Sequence, residues 1–315
     1  MNVTPLVSVI IATYNRARLL PETLDSILSQ SFRDFELIVV DDGSSDDTRD
    51  VLVSYKDRIR YIYQENRGPS AARNMGARHA KAGWLSFQDS DDLSQSNHLR
   101  TLHGYVRVHP DCGTVFANGN YLGGPEHNRN TIIPEPKSRS LANRGVQLED
   151  IFDKSIVRLQ AALISKTAYE AVGGHDESLH ICMDLDLSFR LLMDFPIAYI
   201  DEVVFSYRKH EGNIGKNEEL RLVENIRVIE KLVAEFPQVR VLLGQKVINR
   251  RMAYRYYRLA KGRWKRKQFA AAREAMRAAA SLCPRSLKYQ IYRLHFGVGK
   301  YSRTKKDMPE IDGVP

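Results

Sequence analysis

The sequence lacks any apolar run long enough to cross a bilayer, since a membrane-spanning helix needs about 18 or more apolar residues in succession. Its first residues, MNVTPLVSVIIATYN, show no basic segment followed by an apolar core and a cleavage site, so we predict no secretion signal. Only three cysteines are present, Cys112, Cys182 and Cys283, and they lie far apart. This usage excludes a disulfide framework and a metal knuckle, and it predicts a reducing, cytoplasmic location.

Glycine-rich phosphate loops are also missing, because neither G-x-x-x-x-G-K-[ST] nor G-x-G-x-x-G occurs in the chain. A bound nucleotide would therefore need another means of holding its phosphates. The 315 residues are 43% hydrophobic, which is enough for one large domain or two small ones. This composition excludes a fibrous or wholly disordered protein.

Acidic residues are scarce in the last third of the chain. From Lys216 to the C-terminus there are 24 Lys and Arg against 9 Asp and Glu, whereas the whole chain carries a net charge of +9. Between Phe236 and Lys306 the only acidic residue is Glu274. This asymmetry predicts an interaction surface for phosphates, anionic lipid or nucleic acid.

The first 95 residues alternate between strand and helix patterns. The predicted strands are the apolar runs Val7–Ala12, Phe35–Val40, Arg60–Tyr63 and Trp84–Phe87. The predicted helices are Arg18–Gln30, Asp47–Tyr55 and Ser70–Lys81, the last with Ser70 as N-cap and Gly83 at its end. Short loops between alternating strands and helices predict an α/β fold with a doubly wound, mostly parallel sheet flanked by helices.

Later segments extend this fold and then become helical. We predict a helix over Asn97–Val108, strands at Thr114–Ala117 and Ala161–Ser165, a helix over Asp184–Met193, and one or two strands in Ile197–Tyr207. Gly119–Arg144 is rich in Gly, Pro and Asn and is interpreted as a long loop, a lid or specificity element. Helices follow from Asn217, over Val241–Arg258 and over Lys267–Ser281. We therefore expect a domain at 1–215, with halves 1–95 and 96–215, and a basic helical extension at 216–315.

Polar residues follow the predicted strands where the chain leaves the sheet. They are Thr13, Tyr14 and Asn15 after the first strand, Asp41 and Asp42 after the second, and Asp89, Ser90, Asp91 and Asp92 after the fourth. Ligands of open α/β sheets bind outside the carboxyl ends of the strands. At about 5 Å and an effective dielectric constant near 20, two carboxylates repel by roughly 3 kcal/mol. We expect these acids to lie at two adjacent strand ends. Either a cation lies among them, or the loops are simply well solvated.

The residue types favour a divalent cation with a nucleotide. The D-x-D pair Asp89 and Asp91 supplies hard oxygen ligands suited to Mg²⁺ or Mn²⁺. Such an ion would neutralise a diphosphate leaving group. Tyr14 could stack on a base, and Asp42 could accept a hydrogen bond from a pyrimidine imide or a ribose hydroxyl.

Several stretches together resemble the family 2 glycosyltransferases of GT-A fold. They are VSVIIATYNR, FELIVVDDGSSDDT and NRGPSAARNMGARHAKAGWLSFQDSDD, which agree with the family in order and spacing over about the first 95 residues. GGHDESLHICMDLDLSFRL resembles the acceptor-side segment of the family, and YRKHEGN resembles its late Tyr-Arg-x-His motif. The resemblance covers roughly residues 5–213.

The resemblance implies a role for each matching residue. Asp184 would be the general base, and Asp91, Asp89 and His210 would form the metal site for Mn²⁺ or Mg²⁺. The nucleotide would be bound by Thr13, Tyr14, Asn15, Asp42, Arg73, Asp89, Ser90 and Arg208. The family inverts configuration in a single displacement, so one base suffices.

The predicted base site departs from the family pattern. The family commonly has Glu-Asp there, whereas this chain has Met183-Asp184, followed by Asp186. Asp184 could instead cap the following helix, Asp186 could pair with Arg190, and His210 could be purely structural. Cys182 is interpreted as a packing residue.

Three classes of function remain open at this point. The preferred one is an inverting, metal-dependent transferase that moves a hexosyl or N-acetylhexosaminyl group from a nucleotide sugar, a UDP-sugar by preference, onto a glycan or lipid-linked glycan. Such an enzyme would serve envelope or capsular polysaccharide, lipopolysaccharide or glycolipid synthesis. The alternatives are a sugar nucleotidylyltransferase, whose G-x-G-T-R-type loop is absent, and a non-catalytic protein that binds membrane or nucleic acid.

The basic extension suggests a membrane partner. Lys261–Phe269, KGRWKRKQF, mixes cations with Trp264 and Phe269, which is typical of helices at an anionic membrane surface. We predict that residues 240–306 dock there, on the inner face of the membrane, and we expect no nucleic-acid partner because no recognised motif is present. The alternative is a solvated helix face.

Overall fold

The computed structural model describes residues 4–123, 131–153, 156–210, 212 and 217–298. It divides the chain into two units, Met1–Asn213 and Ile214–Pro315. None of the helices within these ranges is long and apolar enough to cross a bilayer.

The first unit is built on one eight-stranded mixed sheet. Its strands are β1 (Val7–Thr13), β2 (Phe35–Asp42), β3 (Arg60–Gln64), β4 (Trp84–Asp89), β5 (Leu93–Ser94), β6 (Thr114–Leu122), β7 (Ala162–Ser165) and β8 (Ile197–Arg208). Their order is β3-β2-β1-β4-β7-β6-β8-β5. β3, β2, β1 and β4 run parallel, β7 is antiparallel to β4 and β6, and β6 and β8 are parallel. The predicted α/β class with a doubly wound, mostly parallel sheet is confirmed.

Eight helices of the first unit and five of the second lie within the described ranges. In the first unit they are α1 (Leu20–Leu28), α2 (Thr48–Ser54), α3 (Pro69–His79), α4 (His98–Val108), α5 (Lys137–Arg144), α6 (Leu148–Asp153), α7 (Lys166–Ala171) and α8 (Met183–Asp194). In the second they are α9 (Glu218–Glu235), α10 (Gln238–Leu243), α11 (Gln245–Lys265), α12 (Phe269–Leu282) and α13 (Leu287–Val298).

Both faces of the central strands are covered, which explains their continuous apolar sequence. Alternate residues of β1, such as Val9 and Ile11, belong to a core cluster that also contains Leu24 of α1 and Leu102 of α4. Ile10 faces the other side, where a Cβ added to Gly76 of α3 would meet it. Because successive side chains of a strand point to opposite faces, a strand covered on both sides must be apolar at every position.

The two ends of helix α3 differ from the sequence prediction. Ser70 is not the N-cap, because Gly68 holds that position with Pro69 as the first helical residue. The Ser70 hydroxyl donates instead to the carbonyl of Leu179. The helix also ends at His79, four residues before Gly83.

The segment predicted as a loop, Gly119–Arg144, contains regular structure. β6 runs on to Leu122 because it pairs with β8 as far as Arg208, and Asn120 bridges Thr131. Lys137–Arg144 is helix α5. Residues 124–130 of the predicted lid lie outside the described residues.

The second unit is a set of helices with an aromatic core. Trp264 of α11 stacks on Phe296 of α13 with ring centroids 4.3 Å apart and also contacts Phe269 of α12 edge-on. Tyr257 contacts Tyr292 with ring centroids 5.1 Å apart and the ring planes tilted at 60°. Helix α13 is an element that the sequence pattern did not predict.

Candidate active site

Three parallel strands, β2, β1 and β4, bring several of the candidate site residues to one edge of the sheet. β1 lies between β2 and β4, so the acids after β2 and β4 are not at adjacent strands as expected. Thr13 at the end of β1 pairs in register with Asp41, and Ala12 pairs with Asp89. The end of β1 therefore separates the two acidic loops.

Asp89, Asp91 and Asp92 form a carboxylate cluster in which one oxygen from each lies within 4.8 Å of the others. Asp92 is buried, and its Oδ1 accepts a hydrogen bond from the Arg208 backbone N–H at 2.8 Å. Its Oδ2 has no hydrogen-bond partner in the described part of the chain. Burial, together with the charges of Asp89 and Asp91, raises the pKa of Asp92 well above its ordinary value. Crowded carboxylates with an unsatisfied buried oxygen fit a divalent cation with hard oxygen ligands.

Asp89 is held from two sides. Arg73 donates through Nη2 to Asp89 Oδ1 at 2.6 Å, and Gln160 donates to Oδ2. The other terminal nitrogen of the Arg73 guanidinium, Nη1, lies 2.8 Å from the sulfur of Met183, the residue before Asp184. Arg73 therefore links the D-x-D loop to the start of α8.

Asp91 lies against the late Tyr-Arg-x-His segment. His210 Nε2 is 2.8 Å from Asp91 Oδ2, and Arg16 Nε is 3.4 Å from the same oxygen. His210 Nδ1 accepts a hydrogen bond from the Gly212 N–H at 3.1 Å, so in the neutral ring the proton sits on Nε2 and is donated to Asp91. The carboxylate of Asp91 and the ring nitrogen of His210 are groups that suit a metal ion. Ligation by Nε2 would require the ring proton to move to Nδ1 and the hydrogen bond from the Gly212 N–H to break.

Arg208 contacts protein groups in this structure. Its Nε donates to the carbonyl of Asp91 at 3.0 Å, and its Nη2 pairs with Glu22 of α1. With the bond from its backbone N–H to Asp92, Arg208 fastens the end of β8 to the acidic loop.

Asp42 is buried and fixes the loop that leads into α3. Oδ1 accepts from Gln64 Nε2 at 2.7 Å and from the Arg67 N–H at 2.8 Å, and Oδ2 accepts from the Gly68 N–H at 2.9 Å. A carboxylate offers about four acceptor positions. One position on Oδ2 thus remains for a ligand.

The residues after β1 have different surroundings. Tyr14 is 46% exposed, whereas Thr13 is buried and its hydroxyl has no partner among the described residues. Asn15 adopts a left-handed conformation with φ of 51°, and its side-chain oxygen accepts from the Ser45 N–H at 2.8 Å. Asn15 thereby ties β1 to the loop after β2. Ser90 is buried beside Asp89.

Asp184 lies in the first turn of α8 and does not cap it, since Cys182 is the N-cap residue and accepts no bond through its side chain. Burial raises the pKa of Asp184 to about 6, the charges of Arg73 and Arg158 oppose this rise, and Asp89 adds to it. A carboxylate with a pKa near 6 is matched to taking a proton close to neutral pH. Cys182 itself is buried, in agreement with a packing role.

Asp186 is occupied by a structural contact. It is buried and accepts from Arg190 Nε at 2.9 Å. Arg190 also donates to the carbonyl of Gly174 at 2.8 Å, which fixes the Gly-Gly turn before α8. This pairing leaves Asp184 as the carboxylate available for chemistry.

Sequence reasoning missed three residues that the fold brings to this edge. Arg16 was visible in the quoted TYNR motif, although no role was assigned to it. Gln160 and the exposed Arg158 come from the short 3₁₀ turn Leu159–Ala161 and the residue before it. No local signal marks them, because the contact of that turn with Asp89 depends on the pairing of β4 with the distant strand β7.

Solved structures share this architecture. S. aureus TarS 1-349 in complex with UDP-GlcNAc aligns with a TM-score of 0.61 at 18% identity, over 95% of this chain and 93% of that one. The mannosyltransferase PcManGT from Pyrobaculum calidifontis, in complex with GDP-Man and Mn²⁺, aligns with a TM-score of 0.60 at 18% identity, over 94% and 85%. At such identities the likeness shows the fold alone, and it confirms the predicted GT-A type.

Sequence comparison then identifies the family. The profile of glycosyl transferase family 2 matches residues 8–170, more than half of the chain. This protein therefore belongs to glycosyl transferase family 2, as the sequence motifs predicted. Membership favours the transferase over the nucleotidylyltransferase alternative.

Two relatives illustrate the range of the family. An uncharacterised glycosyltransferase of Rickettsia typhi is 30% identical over 66% of this chain, and the match spans 65% of its own length, just under two thirds. The GalNAc(5)-diNAcBac-PP-undecaprenol beta-1,3-glucosyltransferase of Campylobacter jejuni is 30% identical over 70% of this chain and 75% of its own.

Proposed function

We propose that this protein is an inverting glycosyltransferase that moves a sugar from a nucleoside diphosphate sugar, preferably a UDP-sugar, to an acceptor hydroxyl. The observation that carries this proposal is the position of Arg73. Its guanidinium joins Asp89 of the carboxylate cluster to Met183, directly before Asp184. The carboxylate cluster and a separate carboxylate of raised pKa are thus held together, as a metal-assisted transfer from a diphosphate would require.

Asp184 would act as the general base. It would take the proton from the acceptor hydroxyl while that oxygen attacks the anomeric carbon and the bond to the diphosphate breaks. The nucleoside diphosphate leaves with the electron pair of that bond. A single displacement of this kind inverts the anomeric configuration and needs one base.

Asp89 and Asp91, together with Asp92 and after a change of tautomer His210, would hold a divalent ion, Mn²⁺ or Mg²⁺. When bound, such an ion neutralises the charge of the diphosphate. Arg16 lies beside the same oxygen of Asp91, so its guanidinium is placed to approach a phosphate.

The nucleoside would lie at the ends of β1 and β2. Tyr14 exposes its ring for stacking on the base, and the remaining acceptor position of Asp42 Oδ2 suits a pyrimidine imide N–H. The unpartnered Thr13 hydroxyl offers one more hydrogen bond. Asn15, Ser90 and Arg208 would contribute by fixing the surrounding loops.

We further propose that the acceptor is a glycan or a lipid-linked glycan and that the protein works at the inner face of the membrane. Support comes from the Campylobacter relative, whose name specifies an undecaprenol-linked acceptor. The transferred group would be a hexosyl or N-acetylhexosaminyl residue, which agrees with the UDP-GlcNAc bound by TarS.

A thermal-shift screen of UDP, GDP and CDP, each with and without Mn²⁺, tests this proposal. At about 100 times the dissociation constant, UDP with Mn²⁺ should stabilise the protein by about 2.7 kcal/mol and raise Tm by about 5–10 °C. Asp91→Ala should fold normally and lose the Mn²⁺-dependent part of the shift.

Asp57→Ala, which removes an exposed carboxylate outside the site, is the matched control and should keep the full shift. A thermal shift with GDP but not with UDP would refute the UDP preference. No Mn²⁺-dependent shift with any nucleotide would refute the proposed donor site.

A further inference from the structure

One end of the second unit combines exposed aliphatic side chains with basic ones. The start of α11 and the end of α12 lie together there, because Gln245, Ile248, Ser281 and Leu282 line the same 390 Å³ groove. Arg240 of α10 lines it as well, and α13 begins five residues after α12 ends. We call this region the basic apolar end. It comprises Arg240, Val241, Leu242, Lys246, Val247, Arg250, Arg285 and Leu287.

Its aliphatic residues are unusually exposed. Val241 is 85% exposed, Leu287 68%, Leu242 56% and Val247 47%. Single exposed apolar residues are common, but four of them near one end of a helical unit are typical of an interaction site. The corner between α10 and α11 presents two of them side by side.

The cations of the basic apolar end have no ion-pair partner in the part of the chain that the structure describes. Arg240, Lys246, Arg250 and Arg285 are all exposed, and no acidic residue occurs from Phe236 to Arg273. Their charge is therefore available to an external anionic surface.

The segment that the sequence favoured for membrane contact, Lys261–Phe269, has a different environment. Arg263 and Arg266 both pair with Glu219, at 2.8 and 2.5 Å. Trp264 is stacked on Phe296 instead of being free to enter an interface. Much of the charge and aromatic surface of this segment is thus used within the unit.

We propose that the basic apolar end docks on an anionic lipid bilayer, with Val241 and Leu242 entering the interface and the surrounding cations facing lipid headgroups. Aliphatic side chains gain from leaving water at a bilayer, and basic residues near anionic lipid add electrostatic attraction. A nucleic-acid partner would account for the cations but not for the exposed aliphatic side chains. Nucleic-acid binding relies on phosphate contacts and on stacking with aromatic rings. Docking is independent of the sugar-transfer chemistry.

Co-sedimentation of the full chain with vesicles tests the proposal without sugar, nucleotide or metal. The wild-type protein should bind vesicles of phosphatidylglycerol and phosphatidylcholine at low salt and should not bind pure phosphatidylcholine. Lys246→Glu/Arg250→Glu should weaken the partition coefficient by about 25-fold or more, since each basic residue contributes about fivefold. Val241→Ser/Leu242→Ser should weaken it by about tenfold.

Matched controls come from exposed residues of the first unit. Val53→Ser/Val108→Ser removes two aliphatic side chains of similar exposure, and Lys56→Glu/Arg107→Glu makes the same change in net charge. Both should bind vesicles within about twofold of wild type, and melting curves should show that all four double variants remain folded.

Three outcomes would overturn the proposal. One is the absence of vesicle binding by the wild-type protein. Another is full binding by Val241→Ser/Leu242→Ser, which would show that these two side chains do not enter the bilayer. The third is charge-dependent binding to single-stranded RNA in place of vesicles, which would assign the cations to nucleic acid.

Discussion

Two aspartates of α8, Asp184 and Asp186, differ in their contacts and therefore in their suitability as a general base. Asp186 is buried against Arg190, whereas Asp184 is partly exposed and has a pKa that burial raises to about 6. The Arg190 guanidinium binds Asp186 and fixes it in a structural contact. The distinction favours Asp184 as the base in the proposed reaction.

Asp184→Asn should retain donor binding and reduce the rate of transfer by about 10²–10⁴-fold, since the amide cannot accept the proton. The comparison requires kcat for transfer and the affinity for Mn²⁺ with UDP, measured on the same preparation. Asp194→Asn, an exposed change at the end of the same helix, is the control and should leave both unchanged. Undiminished transfer by the Asp184 variant would move the base elsewhere.

The pH dependence of the wild-type enzyme follows from the same residue. Because the pKa of Asp184 is raised to about 6, the carboxylate is protonated below that pH and cannot act as a base. The value of kcat/KM for the acceptor should therefore fall tenfold per pH unit below about pH 6 and level off above it. A profile that stays flat from about pH 5 to 8 would contradict this assignment.

At the scale of elements, the contact between α3 and β1 positions the site. Gly76 lies one turn after Arg73, and a Cβ at this position would clash with Cγ2 of Ile10. α3 can approach the sheet closely only because this residue has no side chain. The close approach holds Arg73 within reach of Asp89.

Gly76→Ala should lower the free energy of unfolding by about 1–2 kcal/mol, because overpacking costs more than the helix propensity that alanine gains. It should also weaken donor binding as Arg73 shifts. Urea denaturation and nucleotide titration measure the two effects. Gly104→Ala is the matched control, since that position in α4 has open space around it and the same change should stabilise by up to about 1 kcal/mol. Equal stabilisation by both substitutions would show that α3 can move away from β1 without loss.

At the scale of the whole molecule, the two units differ in charge and in content. Every candidate site residue lies within Met1–Asn213, and the main core cluster is drawn from that unit alone. The net positive charge of the chain resides in the second unit. We propose that these units are two domains with separate roles, donor binding in the first and surface docking in the second.

A fragment of residues 1–213 should therefore fold cooperatively and bind Mn²⁺ with UDP within about threefold of the full chain, since it keeps its own core. It should lose affinity for anionic vesicles. Thermal melting followed by circular dichroism, together with calorimetric titration, measures both properties. A fragment that melts without cooperativity, or binds nucleotide far more weakly, would show that the second unit supports the first.

The sequence by itself determined the sheet half of the fold and the family, and it supplied the candidate site residues. Strands at Val7, Phe35 and Trp84 were predictable because burial on both faces requires continuous apolar runs, a signal that lies entirely within each segment. The motif carrying Asp89 and Asp91 was readable for the same reason, since both residues occupy one loop.

Only the tertiary structure decided what depends on contacts between distant segments. The extension of β6 to Leu122 arises from its pairing with β8, and the contact of Gln160 with Asp89 joins residues 71 positions apart. The choice of Asp184 over Asp186 depends on which carboxylate meets Arg190, and the stacking of Trp264 depends on Phe296 of another helix. Local patterns report the burial of a segment, whereas the partner that buries or neutralises a side chain is set by chain packing.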